Sequence, residues 1–133
     1  MKKIEHIGIA VQDLDISNKV FTKIFGKSAY KSERVELEGV ITSFFQVGES
    51  KIELVAATNE ESPIHKYLSK NKNGMHHIAF SVDNIMNEIE RLKKEGIRIL
   101  NEIPKKGADN KLVCFLHPKD TSGVLIELCQ EIK

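Results

Sequence analysis

A dominant sign of charge, a useful number of cysteines and any long apolar run are all missing from this 133-residue sequence. Twenty Lys and Arg stand against nineteen Asp and Glu, for a formal net charge of +1. No basic field draws such a chain to nucleic acid or to an anionic membrane, so a small molecule or another protein is the expected partner. The two cysteines, Cys114 and Cys129, lie inside apolar segments without CxxC spacing. They are too few for a disulfide framework and read as buried, reduced thiols of a cytosolic protein. No segment approaches the roughly 18 apolar residues of a membrane span, and the opening "MKKIEHIGIAV" reaches polar residues too soon for a secretory h-region. A soluble, cytoplasmic protein that does not enter the membrane is the expectation.

What is present is a pattern written twice. "IEHIGIAVQDL", Ile4 to Leu14, returns as "MHHIAFSVDNI", Met75 to Ile85, with His77 falling 71 residues after His6. Asp13 or Asp15 can cap a first helix, along which Val20, Phe21, Ile24 and Phe25 fall at helical spacing until Gly26 stops it. Strand-like segments follow at Ala29–Leu37, Val40–Val47 and Lys51–Ala57, separated by turn signals at Glu38-Gly39 and Gly48-Glu49. In the second copy Asn84 is the expected N-cap, Ile85, Ile89 and Leu92 the apolar face, and Gly96 the stop. Its strands are expected at Ile97–Leu100, Lys111–Leu116 and Val124–Gln130. Between the copies, Ser62 and Pro63 sit as cap and first residue of a short linker helix. The fold class that follows is α+β: one domain of two βαβββ modules, 1–58 and 74–133, joined by a linker at 59–73. Internal duplication explains the repeat.

Strand alternation sorts the repeated histidines. His6, Gly8 and Ala10 share one face of the first strand, while Ile7, Ile9 and Val11 share the other. His77, Ala79 and Ser81 form the matching small face, which leaves His76 on the bulky one. Late in each copy, "KIELV" and "LIELC" place Glu53 and Glu127 in mid-strand among aliphatic neighbours. A carboxylate there is costly to bury unless it is paired or bound to a cation. Taken singly, a strand histidine is most often a packing residue and a strand glutamate a solvated one. Both types at matching repeat positions point instead to a mixed N/O site for a divalent ion such as Co²⁺, Ni²⁺, Zn²⁺, Fe²⁺ or Mn²⁺.

The paired modules carrying His6, Glu53, His77 and Glu127 resemble the vicinal oxygen chelate superfamily, which contains glyoxalase I, extradiol dioxygenases and methylmalonyl-CoA epimerases. "HIGIAV", "ESPIHKYLSKNKNGMHHIAFSVDNI" and "VCFLHPKDTSGVLIEL" resemble the epimerases over nearly the whole chain. The resemblance implies an eight-stranded, cup-shaped mixed sheet around one divalent metal, with Co²⁺ favoured over Zn²⁺, Ni²⁺ or Mn²⁺. It also implies an acyl-CoA substrate and a homodimer. His6, Glu53, His77 and Glu127 are then the metal ligands, and Glu127 and Glu53 the expected proton-transfer residues. A glutamate that some epimerases carry as a base aligns with Thr42, which cannot replace it. Glyoxalase I-type lactoylglutathione lyase chemistry and metal-free small-molecule binding are the alternatives. His65 reads as solvent-facing and His117 as a turn residue or phosphate contact. Lys105, Lys106 and Lys111 read as solvated lysines around the "GADN" loop.

Overall fold

A computed structural model describes residues 1–133. It contains the expected eight-stranded mixed sheet and three α-helices. Two compact units can be distinguished: Ile7–His76, and Met1–His6 together with His77–Lys133.

In the first unit, α1 (Leu14–Phe25) is capped by the Asp13 carboxylate, which accepts from Ile16 N–H, and ends at Gly26 in the left-handed conformation (φ 71°). Strands β2 (Lys31–Val35), β3 (Val40–Val47) and β4 (Ser50–Ala57) form an antiparallel meander. One face of it buries Phe45, Leu54 and Ala56 with Val11, against Leu14, Phe21 and Phe25 of α1. Phe45 is fully buried, and truncating such a phenylalanine to alanine costs about 3–5 kcal/mol. Val20 and Ile24 do not join this core; they lie on the exposed side of α1 with Ile16. The opposite face of the meander holds Val40 and Val55, packed with Ala10 against Ile64, Tyr67 and Leu68 of α2 (Pro63–Lys70). The Ser62 hydroxyl caps that helix by accepting from Ile64 N–H.

In the second unit, β5 (Gly74–Ser81) pairs in parallel with β8 (Ile126–Glu131), which pairs antiparallel with β7 (Lys111–Phe115); β6 (Lys105–Gly107) edges β7. The first strand, β1 (Lys3–Ala10), begins in this unit and ends in the other. Helix α3 (Ile85–Lys94) is capped by Asn84 and buries Ile85, Ile89 and Leu92 against Val82, Cys114, Leu116 and Leu128. The expected strand at Ile97–Leu100 is reduced to one bridge, Ile99 with Leu116. The cause is local competition: Arg98 N–H donates to the Asp120 carboxylate, and the Asn101 side chain occupies the Phe115 N–H and the Val113 carbonyl. Strand β2 is also shorter than expected, because Glu36–Glu38 turn as a 3-10 helix into Gly39.

Candidate metal centre

Each element delivers its functional side chain by alternation. In the register of β8 with β7, Glu127 stands opposite Phe115 and Cys129 opposite Val113, while Leu128 faces Cys114 on the side covered by α3. The parallel pairing puts Ala79 beside Glu127, so His77, two residues earlier on β5, shares the Glu127 face. His6 arrives on β1.

The three side chains converge. His6 Nε2 lies 3.2 Å from His77 Nε2, and Glu127 Oε1 lies 3.4 Å from His77 Nε2 and 3.7 Å from His6 Nε2. The two rings meet edge to face, 5.3 Å apart at 87°. All three residues are buried, with 6–7% of their surface exposed. Two imidazole nitrogens and a carboxylate oxygen suit a borderline divalent cation. Bond lengths of roughly 2.0–2.2 Å to such an ion put neighbouring donors about 3.0–3.5 Å apart; the edges at 3.2 and 3.4 Å fall in that range and the 3.7 Å edge lies just beyond it. The structure therefore gathers a group able to hold a metal ion. His76 takes no part; its ring packs edge-on against Tyr67 at 4.8 Å.

Burial opposes ionisation of Glu127, and the charge of Glu5 adds to that opposition. The positive character and hydrogen bonding of His6, followed by the charge of His77, outweigh both and hold the carboxyl below its ordinary value. Glu5 is a contributor that the sequence reading missed. It is 3% exposed, and its Oε1 lies 3.8 Å from His6 Nδ1. A carboxylate on that side favours the Nδ1–H tautomer and leaves the Nε2 lone pair free for a cation. The only signal was an acid directly before the histidine. Phe115 forms an apolar wall, with its ring 6.1 Å from that of His77.

Glu53 is buried on β4 of the other unit, 6% exposed, opposite Phe44 and on the face that also carries Thr42 and Val55. The compact donor group contains His6, His77 and Glu127 and does not include it. Thr42 is 1% exposed, and its hydroxyl donates to the Glu33 carbonyl. His65 is exposed. His117 is a turn residue, its Nδ1 accepting from Lys119 N–H. Lys105 and Lys106 are exposed, but Lys111 is not the solvated lysine expected. It is 7% exposed, donates to the Asp109 carbonyl, and has the Asp109 and Glu131 carboxylates at 4.0 and 3.9 Å. Asp109 and Asn110, both left-handed (φ 58° and 55°), shape the loop that permits this.

The profile of the Glyoxalase/Bleomycin resistance protein/Dioxygenase superfamily matches residues 5–115. The chain belongs to that superfamily. The mitochondrial methylmalonyl-CoA epimerase of Homo sapiens is 43% identical over 129 residues, covering 96% of this chain and 73% of the human protein. The ethylmalonyl-CoA/methylmalonyl-CoA epimerase of Cereibacter sphaeroides is 38% identical, covering 96% and 97% of the two chains. A variant of Streptomyces coelicolor methylmalonyl-CoA epimerase, solved in complex with 2-nitronate-propionyl-CoA, superposes with a TM-score of 0.94 at 34% identity and covers 98% of this chain and 95% of its own. The resemblance to the epimerases seen in the motifs thus extends over the whole fold. No helix is long and apolar enough to cross a membrane.

Proposed function

We propose that this protein is a metal-dependent methylmalonyl-CoA epimerase that interconverts the 2S and 2R thioesters, acting as a cytoplasmic homodimer. The observation that carries the reading is the buried His6–His77–Glu127 triangle, in a chain that has epimerases of that substrate among its relatives. We assign His6, His77 and Glu127 as ligands, with Glu53, the repeat counterpart of Glu127, as the fourth. A divalent ion bound by these residues, with Co²⁺ favoured, would supply Lewis-acid stabilisation of negative charge on the thioester oxygen.

The remaining work falls to the chain. His6 and His77 would present their Nε2 lone pairs to the ion, and the Glu5 carboxylate, 3.8 Å from His6 Nδ1, lies on the side that favours the Nδ1–H tautomer. Phe115, opposite Glu127 in the register and 6.1 Å from the His77 ring, gives the Glu127 side an apolar lining. Glu127 takes the C2 proton on one face and returns it in the reverse direction. A second acid must serve the other face. The sequence alone offers Glu53 for that role.

The deciding experiment supplies (2S)-methylmalonyl-CoA to metal-replete protein and couples it to a mutase that accepts only the 2R form. Product formation abolished by chelation and restored by divalent metal is expected. Turnover of a methylglyoxal–thiol hemithioacetal in place of the thioester would move the protein to lactoylglutathione lyase chemistry. Chelator-insensitive epimerisation would remove the metal from the mechanism.

A further inference from the structure

Four groups surround the carbon that an epimerase inverts. In the proposed substrate the hydrogen goes to Glu127, and the carboxylate and the thioester are polar. The alkyl group is apolar, and its fit against apolar surface is what would tell a methyl from a longer chain. The structure offers such a surface beside the donor group.

That surface lies wholly within the unit formed by Met1–His6 and His77–Lys133. Directly paired residues share a face of a sheet, so Phe115, Glu127 and Ala79 form one row and Val113, Cys129 and Ser81 the next. Ala79, Val113 and Cys129 pack on one another and are 0–4% exposed, which closes the floor of this face. Phe115 is half-buried. Its ring stands edge-on to the His77 ring, with the centroids 6.1 Å apart, and so keeps apolar surface open beside an imidazole and a carboxylate.

The backbone sets the reach and the stiffness of this wall. Phe115 N–H donates to Asn101 Oδ1 at 2.9 Å, and the Phe115 carbonyl accepts from Leu100 N–H at 2.8 Å. Both groups therefore point away from β8, which makes Phe115 and Glu127 a pair with no hydrogen bonds between them. Such pairs are the closer kind, with Cα atoms about 4.5 Å apart. Asn101 also donates to the Val113 carbonyl at 3.2 Å, so one amide pins the strand on both sides of Cys114. A wall fixed in this way rejects a longer chain instead of yielding to it. Leu125, which precedes β8, is also half-buried but stands a row away from Glu127.

We propose that Phe115 is the specificity-determining residue of the epimerisation: its ring receives the alkyl group on C2 and limits that group to a short chain. The proposal rests on the epimerase reading.

The test follows deuterium entry at C2 in heavy water with the CoA thioesters of 2-methyl-, 2-ethyl- and 2-propylmalonate, and bound metal is measured on every sample. Failure of the unmutated protein on all three thioesters removes the epimerase reading itself. Its kcat/KM should fall from methyl to propyl, since one methylene in an apolar pocket is worth about 10–200-fold. In Phe115→Ala the propyl-to-methyl ratio of kcat/KM should rise about tenfold or more, with metal at the unmutated level. Phe115→Leu should raise it less, Phe115→Trp should lower it, and Leu125→Ala should leave it within about threefold. Loss of metal from Phe115→Ala leaves the decision to Phe115→Leu. A ratio unchanged in both truncations would overturn the proposal whatever the absolute rates, because equal loss on every thioester marks a structural residue. So would an unmutated protein that accepts the propyl thioester as well as the methyl one, or a larger rise in Leu125→Ala than in Phe115→Ala.

Discussion

The imidazole nitrogens of His6 and His77 approach to 3.2 Å although 71 residues separate them in the chain. The pair is the repeat made physical: equivalent positions of two βαβββ copies, each on the small-residue face of its strand. His76, next in sequence to His77, packs instead on Tyr67. His6→Ala and His77→Ala should therefore each strip the metal from protein purified without chelator and abolish activity with it. His76→Ala should keep its metal, as read by elemental analysis.

The two repeated glutamates should each lose activity while keeping bound metal when the base is removed. Glu127→Gln keeps the shape and one oxygen donor but removes the base, so activity should drop about 10²–10⁴-fold while metal remains bound at high metal concentration. Glu53→Gln, which also keeps an oxygen donor, should fall nearly as far, as expected of the second proton-transfer residue; near-unmutated activity would leave Glu53 a ligand alone. The comparison needs only steady-state rates with metal content measured on the same samples.

Glu5 acts through His6. Replacing it with glutamine removes the charge beside Nδ1, and loss of such an outer partner typically weakens metal binding about 10–100-fold. Competition with a chelator of known affinity would show a shifted metal dissociation constant, with activity recovered when metal is supplied in excess.

Asp120 links the turn after β7 to the segment after α3. Hydrogen bonds from the Arg98 side chain and from its backbone N–H, with the Arg98 charge, hold the Asp120 carboxyl well below the usual range. A depressed carboxyl pKa contributes stability that is present above its unfolded value, about 3.9, and that disappears as pH falls below it. Asp120→Asn should lower the melting temperature at neutral pH, and the gap between variant and parent should close as pH drops below about 4. A gap independent of pH would show that the backbone contact alone matters.

Much of this was legible in the sequence because the informative residues act locally. Asp13, Ser62 and Asn84 cap the three helices, and Val40–Val47 is a strand with the expected limits. Alternation alone separated His77 from His76. The failures came where side chains compete with backbone. The amide of Asn101 and the carboxylate of Asp120 took the hydrogen bonds that a strand at Ile97–Leu100 needed. Helical spacing recognised Val20 and Ile24 as apolar but could not say that Phe21 and Phe25 would claim the core. Lys111 and Glu5 were invisible for a related reason, since burial of a charge depends on partners brought from elsewhere in the chain.

The division of β1 between the two units gives the chain an order of assembly during synthesis. Ile7–His76 is continuous, so the whole of that unit emerges from the ribosome before β8 does. The other unit joins Met1–His6 to His77–Lys133 and cannot close until the last strand emerges, because Glu127 must return to meet His6 across nearly the full length of the chain. Non-local closures of this kind are the slow steps of folding, and N-terminal segments fold first as they emerge. The triangle of metal donors is thus the last part of the protein to exist, and a nascent chain halted before β8 would hold a folded meander and no place to bind an ion.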